Sequence, residues 1–305
     1  KAFLHANEAS LTYVGKLDST IQGEFEFKSL KIIEGKPARY PRFKSYYADV
    51  KVNDYAKNVV YQGGFSLNGT KISGDNFSNA KQSIIVSQGD TVKFKAVSRK
   101  GFALNSNSVT NLKAQLTIYL SDSDSLTHPA MRIRYDAEQA ILSARKNKKE
   151  FKYSPFVDTY HDMEIVADFV KWDLAQDTFN ISIISGRTEI PAIIESTSRF
   201  SKPRFDKLQG FYQFHPLLVA YNYAVKNRKK SFLSSDLTHL LGYEGKKSVQ
   251  ISNSMRELAQ GGYLNYDPVT DVVEFTAKGV LYARANQEML RPKGKVDFDN
   301  IFLTS

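Results

Sequence analysis

The chain has 305 residues, 42% hydrophobic and 24% charged, a globular composition long enough for two domains and far from the signature of disorder. It has no cysteine, which excludes disulfides, cysteine-based zinc sites and thiol nucleophiles. The net charge of +10 fits a nucleic acid, an acidic membrane surface or plain solubility.

The charge is spread out: residues 211–305 hold 12 Lys/Arg against 9 Asp/Glu. The nearest approaches to a basic block are Arg145-Lys146-Asn147-Lys148-Lys149 and Lys226-Asn227-Arg228-Lys229-Lys230, both read as exposed loop or helix-end segments. No apolar run approaches the ~18 residues of a membrane span. The sequence opens at Lys1 with no targeting pattern, and reads as a mature product or a piece of a longer polypeptide.

The first 200 residues alternate with period two. Strands are expected at Gly23–Lys28, Val60–Leu67, Thr91–Val97, Ala114–Leu120, Met163–Val170 and Thr178–Ile184. Trp172–Asp177 reads as the hairpin connection between the last two. The clearest loops are Asn105-Ser106-Asn107-Ser108 and Ser121-Asp122-Ser123-Asp124-Ser125. Gly23-x-Phe25-x-Phe27-x-Ser29-x-Lys31-Ile32 recurs as Gly63-x-Phe65-x-Leu67-x-Gly69-x-Lys71-Ile72 at an offset of 40, with a weaker third copy from Phe102 to Val109. Such a period suggests stacked β units, or two similar hairpins in one sandwich.

The pattern changes near residue 210. Phe214, Leu217, Leu218, Tyr221, Ala224 and Val225 mark a helix over Phe211–Lys226. A short helix follows from Ser234, with a serine or aspartate N-cap and Gly242 beyond its C-terminus. A third spans Ser248–Ala259, with Val249, Ile251, Met255 and Leu258 as its apolar contacts, and stops at Gly261-Gly262. Tyr263–Tyr266 and Val272–Phe275 flank a hairpin turn at Asp267–Asp271. A last helix fits Lys278–Gln287, and 292–305 reads as an extended tail. Phe200–Phe205 reads as a linker or a basic-aromatic contact for a polyanion.

Helix, short helix, helix, hairpin, with the junction Met255-Arg256-Glu257-Leu258-Ala259-Gln260-Gly261-Gly262-Tyr263-Leu264, resembles a winged helix-turn-helix domain over residues 211–290. Ile184-Ser185-Gly186-Arg187, with the β region before it, resembles large uncharacterised cell-envelope proteins of Bacteroidota-type bacteria. That second resemblance implies an envelope or periplasmic location and no established activity. The first implies DNA binding or protein docking. For DNA, Lys246 and Lys247 would meet phosphates while Gln250, Asn253 and Arg256 approached base edges. Asp267 and Asp271 at the wing tip oppose this, and a protein partner is the favoured expectation.

The densest polar cluster is Asp158, Tyr160, His161, Asp162 and Glu164. On a continuous strand three carboxylates would share one face. They would suit a hard cation or an acid–base pair of the glycosidase kind; the plainer reading is a solvated sheet face. His128, fixed before Pro129, reads as a strand opener. No phosphate loop or nucleophile elbow occurs. No catalytic, metal-ligating or cofactor-binding residue is therefore expected, and no cofactor.

The expected fold is mainly β with an α+β C-terminal domain. An extended or sandwich-like antiparallel region, 1–207, divisible near 125–155, would be followed by a winged-helix-like domain, 208–291. The expected function is a non-enzymatic binding or scaffold module. The alternatives are nucleic-acid binding and a carboxylate-based carbohydrate-active or metal-dependent enzyme.

Overall fold

A computed structural model of the protein describes every residue except 1, 31–34, 36–37, 75–78, 106, 147–150, 152–153, 243–247, 290–301 and 305. Strands make up 47% of the chain and helices 18%, so the protein is mainly β with its helices in the C-terminal third.

In chain order the elements are β1 (Phe3–Leu11), β2 (Ile21–Lys28), β3 (Arg42–Ser45), β4 (Val50–Ala56), β5 (Val59–Gly63), β6 (Ser66–Asn68), β7 (Lys71–Ser73) and β8 (Gln82–Gln88). Then come β9 (Thr91–Ser98), β10 (Ala103–Asn105), β11 (Ser108–Tyr119), β12 (Ser125–Asp136), β13 (Ile141–Lys146), β14 (Phe156–Asp158), β15 (Met163–Val166), β16 (Phe169–Asp173), β17 (Asn180–Ser185), β18 (Thr188–Pro191) and β19 (Ile193–Ser196). The C-terminal third runs α1 (Lys202–Lys207), α2 (Pro216–Lys226), β20 (Ser231–Leu233), α3 (Ser234–Leu241), α4 (Ser248–Gln260), β21 (Leu264–Asp267), β22 (Val272–Phe275), α5 (Ala277–Met289) and β23 (Phe302–Thr304).

The chain divides into two compact units, residues 1–147 with 167–190, and residues 148–166 with 191–305. The division differs from the expected one at 207/208: 148–166 and 191–207 belong with the helices. Met163–Val170, expected as one strand, is two. β15 ends at Val166, the chain changes unit, and β16 begins at Phe169. Trp172 lies inside β16, buried, its indole N–H donating to the Gln176 carbonyl at 3.0 Å; the turn comes after it.

In the first unit two antiparallel ladders converge on β11. One runs β1–β2–β3–β6–β7–β10, and β10 pairs with the start of β11. The other runs β4–β5–β8–β9, and β9 pairs with the end of β11. The register slips between Asn111 and Ala114, where one partner gives way to the other. Buried Asn111 closes that gap: its amide donates to the Lys100 and Gly101 carbonyls, and its oxygen accepts from the Lys113 N–H. A buried backbone break left open would strand such groups without partners. β12, β13, β16 and β17 extend the sheet from the other edge of β11. Phe94 and Tyr135 meet edge-on in its core, ring centroids 5.3 Å apart.

The 40-residue similarity does not fold alike. Gly23–Phe27 lies within the single strand β2, whereas Gly63–Leu67 ends β5, breaks, and begins β6. Lys31 and Ile32, which extend the first copy, lie outside the described residues.

In the second unit β14, β15, β19 and β23 pair in that order, so 302–304 of the expected extended tail joins a sheet. β20, β22 and β21 form a separate sheet of three strands. The core around it is built from Phe205, Leu217, Ile251, Met255, Leu258 and Tyr282 with their neighbours. α4 supplies Ile251, Met255 and Leu258, an i, i+4, i+7 stripe, whereas Val249, expected as a fourth apolar contact, is exposed. α2 starts at Pro216, five residues later than the apolar stripe suggested. His215 caps it and the proline occupies its first turn, where a missing N–H costs nothing. Phe200–Phe205 is no linker. Ser201 caps α1, Pro203 opens it, and Phe205 is buried in the core.

Candidate functional site

The polar cluster at 158–164 is a hairpin end and not a strand face. β14 stops at Asp158, and Asp162 takes a left-handed φ of 53° in the turn. The Asp158 carboxylate accepts the Tyr160 and His161 N–H groups and lies 2.8 Å from the His161 ring nitrogen. Asp162 gives its carbonyl to both the N–H and the hydroxyl of Thr197, while its side chain is exposed. Asp158 and Glu164 are buried; Tyr160, His161 and Asp162 are exposed. The shared carboxylate face therefore does not form. Among the described residues no group of three His, Asp or Glu could hold a metal ion.

A different cluster forms around Glu164, with partners distant in sequence. Glu164 lies opposite Glu195 across β15 and β19, and both are buried. The Lys278 ammonium, from the first turn of α5, donates to Glu164 at 2.7 Å and to the Gly261 carbonyl at 3.1 Å. Arg204, from α1, grips Glu195 with two nitrogens at 2.6 and 2.7 Å, and Arg199 adds a third contact at 3.1 Å. A fork-shaped guanidinium matches a carboxylate at two points. These hydrogen bonds from Arg204 hold the Glu195 carboxyl below its ordinary range although burial opposes them. The same partner raises Arg204. The cluster ties a β-hairpin and its neighbouring strand to two helices of the same unit, and every carboxylate in it is engaged.

On α4 the exposed face carries Val249, Gln250, Asn253, Arg256 and Glu257. The Arg256 guanidinium donates to the Asn253 side-chain oxygen at 3.2 Å. Lys246 and Lys247 lie outside the described residues.

The two aspartates of the β21–β22 hairpin differ: Asp271 is drawn toward α3, while Asp267 stays within the turn. Asp271, at φ 59°, turns its carboxylate onto the start of α3. It accepts from the Ser235 N–H at 2.9 Å, from the Tyr266 hydroxyl at 3.0 Å and from the Ser234 hydroxyl, and its carbonyl accepts the Ser234 N–H at 2.9 Å. α3 has Leu233 at its N-cap, which offers no side-chain oxygen. Asp271 caps the Ser235 N–H from 36 residues away, and the local Asp236 carboxylate accepts the Leu233 N–H at 3.4 Å, so the expected local aspartate takes part alongside a distant one. Gly242 does end α3 left-handed, at φ 63°. Asp267 accepts the Val269 N–H at 3.0 Å within the turn.

His128 is buried on β12, its Nδ1 accepting the Ala130 N–H at 3.1 Å. His215 caps α2: its Nδ1 accepts from the Leu218 N–H at 3.5 Å and its Nε2 lies 3.0 Å from the Phe205 carbonyl. No helix among the described residues is long and apolar enough to cross a membrane.

No family model, no curated protein and no solved structure matches the chain. The chemistry of its surfaces therefore carries the functional reading.

Sequence reasoning missed the Glu195–Arg204 and Glu164–Lys278 pairs, because alternation marks two faces of a strand without saying which is buried. The one available signal was Ser201-x-Pro203, an N-cap and first-turn proline, which places Arg204 on a helix.

Proposed function

We propose that the chain is a non-enzymatic binding or scaffold module whose second unit docks a protein partner. The observation that carries this is the engagement of the buried acids. Asp158, Glu164 and Glu195 each meet a cation, a histidine ring or a turn N–H, which suits holding a platform in shape better than moving protons. The helical part, with its order of helix, short strand, helix, helix, hairpin, helix, we read as a winged-helix type of platform. An exposed edge supports the scaffold role: β1 pairs with β2 alone among the described strands and exposes Phe3 and Leu4, and unpaired strand edges are docking rails.

Nucleic-acid binding through α4 is the second reading. It is favoured by the turning of Asp271 toward α3, which removes one charge from the path of a phosphate. Against it, Glu257 shares the exposed face of α4 with Arg256. The test is anisotropy of a labelled duplex DNA titrated with the full chain at low and at physiological salt. No salt-dependent binding is expected. Tight binding that weakens steeply with salt and disappears in Lys247→Glu would overturn protein docking in favour of DNA.

A further inference from the structure

Between the C-terminal half of α2, β22 and the start of α5 lies a cleft of about 430 Å³. Its floor is apolar: Tyr221, Val225, Phe275 and Val280. Tyr221 and Phe275 meet edge-on at 5.8 Å, and Val225 is 58% exposed. Its rim carries Arg228, Lys229 and Lys230, with Glu274 as the one acid.

The rim's backbone holds an independent observation. α2 ends in a Schellman motif: the Lys229 N–H donates to the Ala224 carbonyl at 2.9 Å and the Arg228 N–H to the Val225 carbonyl at 3.2 Å. The residue at the left-handed position of that motif is ordinarily glycine. Here it is Arg228, at φ 53°, a conformation that a long side chain adopts at a disadvantage. Complementing the negative C-terminal end of the helix dipole does not explain the choice, because Lys226 and Lys229 already stand there. Lys229 is also tied down, donating to the Tyr223 hydroxyl and to Asp236. A strained cation kept at the lip of an apolar cleft points to a ligand.

We propose that this cleft takes an acidic protein segment, an apolar side chain entering over Tyr221, Val225 and Phe275 while its flanking carboxylates meet Arg228 and Lys230. This rests on the protein-docking reading above and names the chemistry of the partner. A nucleic acid fits less well, since the apolar floor offers its phosphates no partner and the Glu274 carboxylate repels them.

The experiment uses the full chain and a short labelled peptide of aspartate and glutamate around one phenylalanine. Its controls are the same peptide with serine for phenylalanine, the lysine counterpart, and a duplex DNA. The acidic phenylalanine peptide should bind, more weakly as salt rises, and the serine peptide about tenfold less tightly. Arg228→Gly should lose about tenfold in affinity while its melting temperature rises by about 2 °C. Arg228→Lys should keep most of the binding. Val225→Ser should weaken the phenylalanine peptide alone. Binding unchanged in a stabilised Arg228→Gly, equal binding of the two acidic peptides, or no peptide binding would each overturn the cleft and leave the broader docking reading standing. DNA binding lost in Arg228→Gly would overturn both.

Discussion

Glu164 and Glu195 are direct cross-strand neighbours on β15 and β19, two buried carboxylates side by side, each neutralised by a cation from a different helix. Like charges opposite one another destabilise a sheet, and a buried carboxylate without a partner costs more than its ion pair returns. The cluster should therefore be strongly non-additive. Lys278→Met should destabilise the fold by about 3 kcal/mol or more, because it leaves Glu164 charged and unpaired beside Glu195. Glu164→Gln together with Lys278→Met should recover much of that loss. Chemical denaturation of the two single variants and the double gives the coupling directly; additive losses would refute it.

Asp271 makes a second long-range link testable. It caps α3 through the Ser235 N–H and draws two hydroxyls to the same carboxylate. Burial raises its pKa, but these hydrogen bonds win and the net shift is downward. Asp271→Ala removes the cap and keeps an unfavourable left-handed backbone; a loss of about 2 kcal/mol is expected. Asp271→Asn, which tolerates that backbone and still accepts, should lose about half as much. Thermal unfolding of the three proteins ranks them, and an Asn variant no better than Ala would exclude the capping role.

The neutral ring of His215 accepts at Nδ1 from Leu218 and so donates at Nε2 to Phe205. Its stacking on the Phe205 ring, centroids 4.2 Å apart, accompanies the burial that lowers its pKa below 6.5. Above that value both folded and unfolded states are neutral, and the histidine adds no pH dependence. As pH falls below it, the unfolded chain takes the proton first. Stability should then decline, by at most about 1.4 kcal/mol per pH unit, until the lowered folded pKa is reached. His215→Asn keeps an N-cap acceptor and should flatten the profile between pH 7 and 5. The lowered Glu195 acts in a separate window, its contribution lost only as pH falls below about 4.5.

What the sequence revealed follows from what short-range patterns encode. α4 was legible almost to the residue, because Ile251, Met255 and Leu258 repeat along one helical face. The start of α2 was not: Phe214 continues the apolar stripe, yet His215 and Pro216 make a better beginning. β20 is three residues long, too short to show a period. β15 defeats the usual inference outright. Its alternation is plain, but Glu164 is its buried residue while Met163 and Ile165 are half-exposed. Only Lys278, 114 residues away, makes that phase possible, and no local signal announces it.

Lys146 offers the sharpest stability test in the first unit. It ends β13, is 4% exposed, and burial pushes its ammonium down to about 8 although Asp168 pulls the other way. A lysine lowered on folding penalises the folded state at pH values where both forms are charged. It ceases to do so once the unfolded lysine also loses its proton, near 10.5. The difference corresponds to roughly 3 kcal/mol as an upper bound. Lys146→Met, of similar length and without charge, should raise the unfolding free energy at pH 7. The wild-type protein should gain relative stability between pH 8 and 10, so that the advantage of the variant shrinks across that range. Denaturation curves of both proteins at pH 7 and pH 10 decide the matter. A variant less stable at pH 7 would mean that the ammonium has a partner worth more than its desolvation costs.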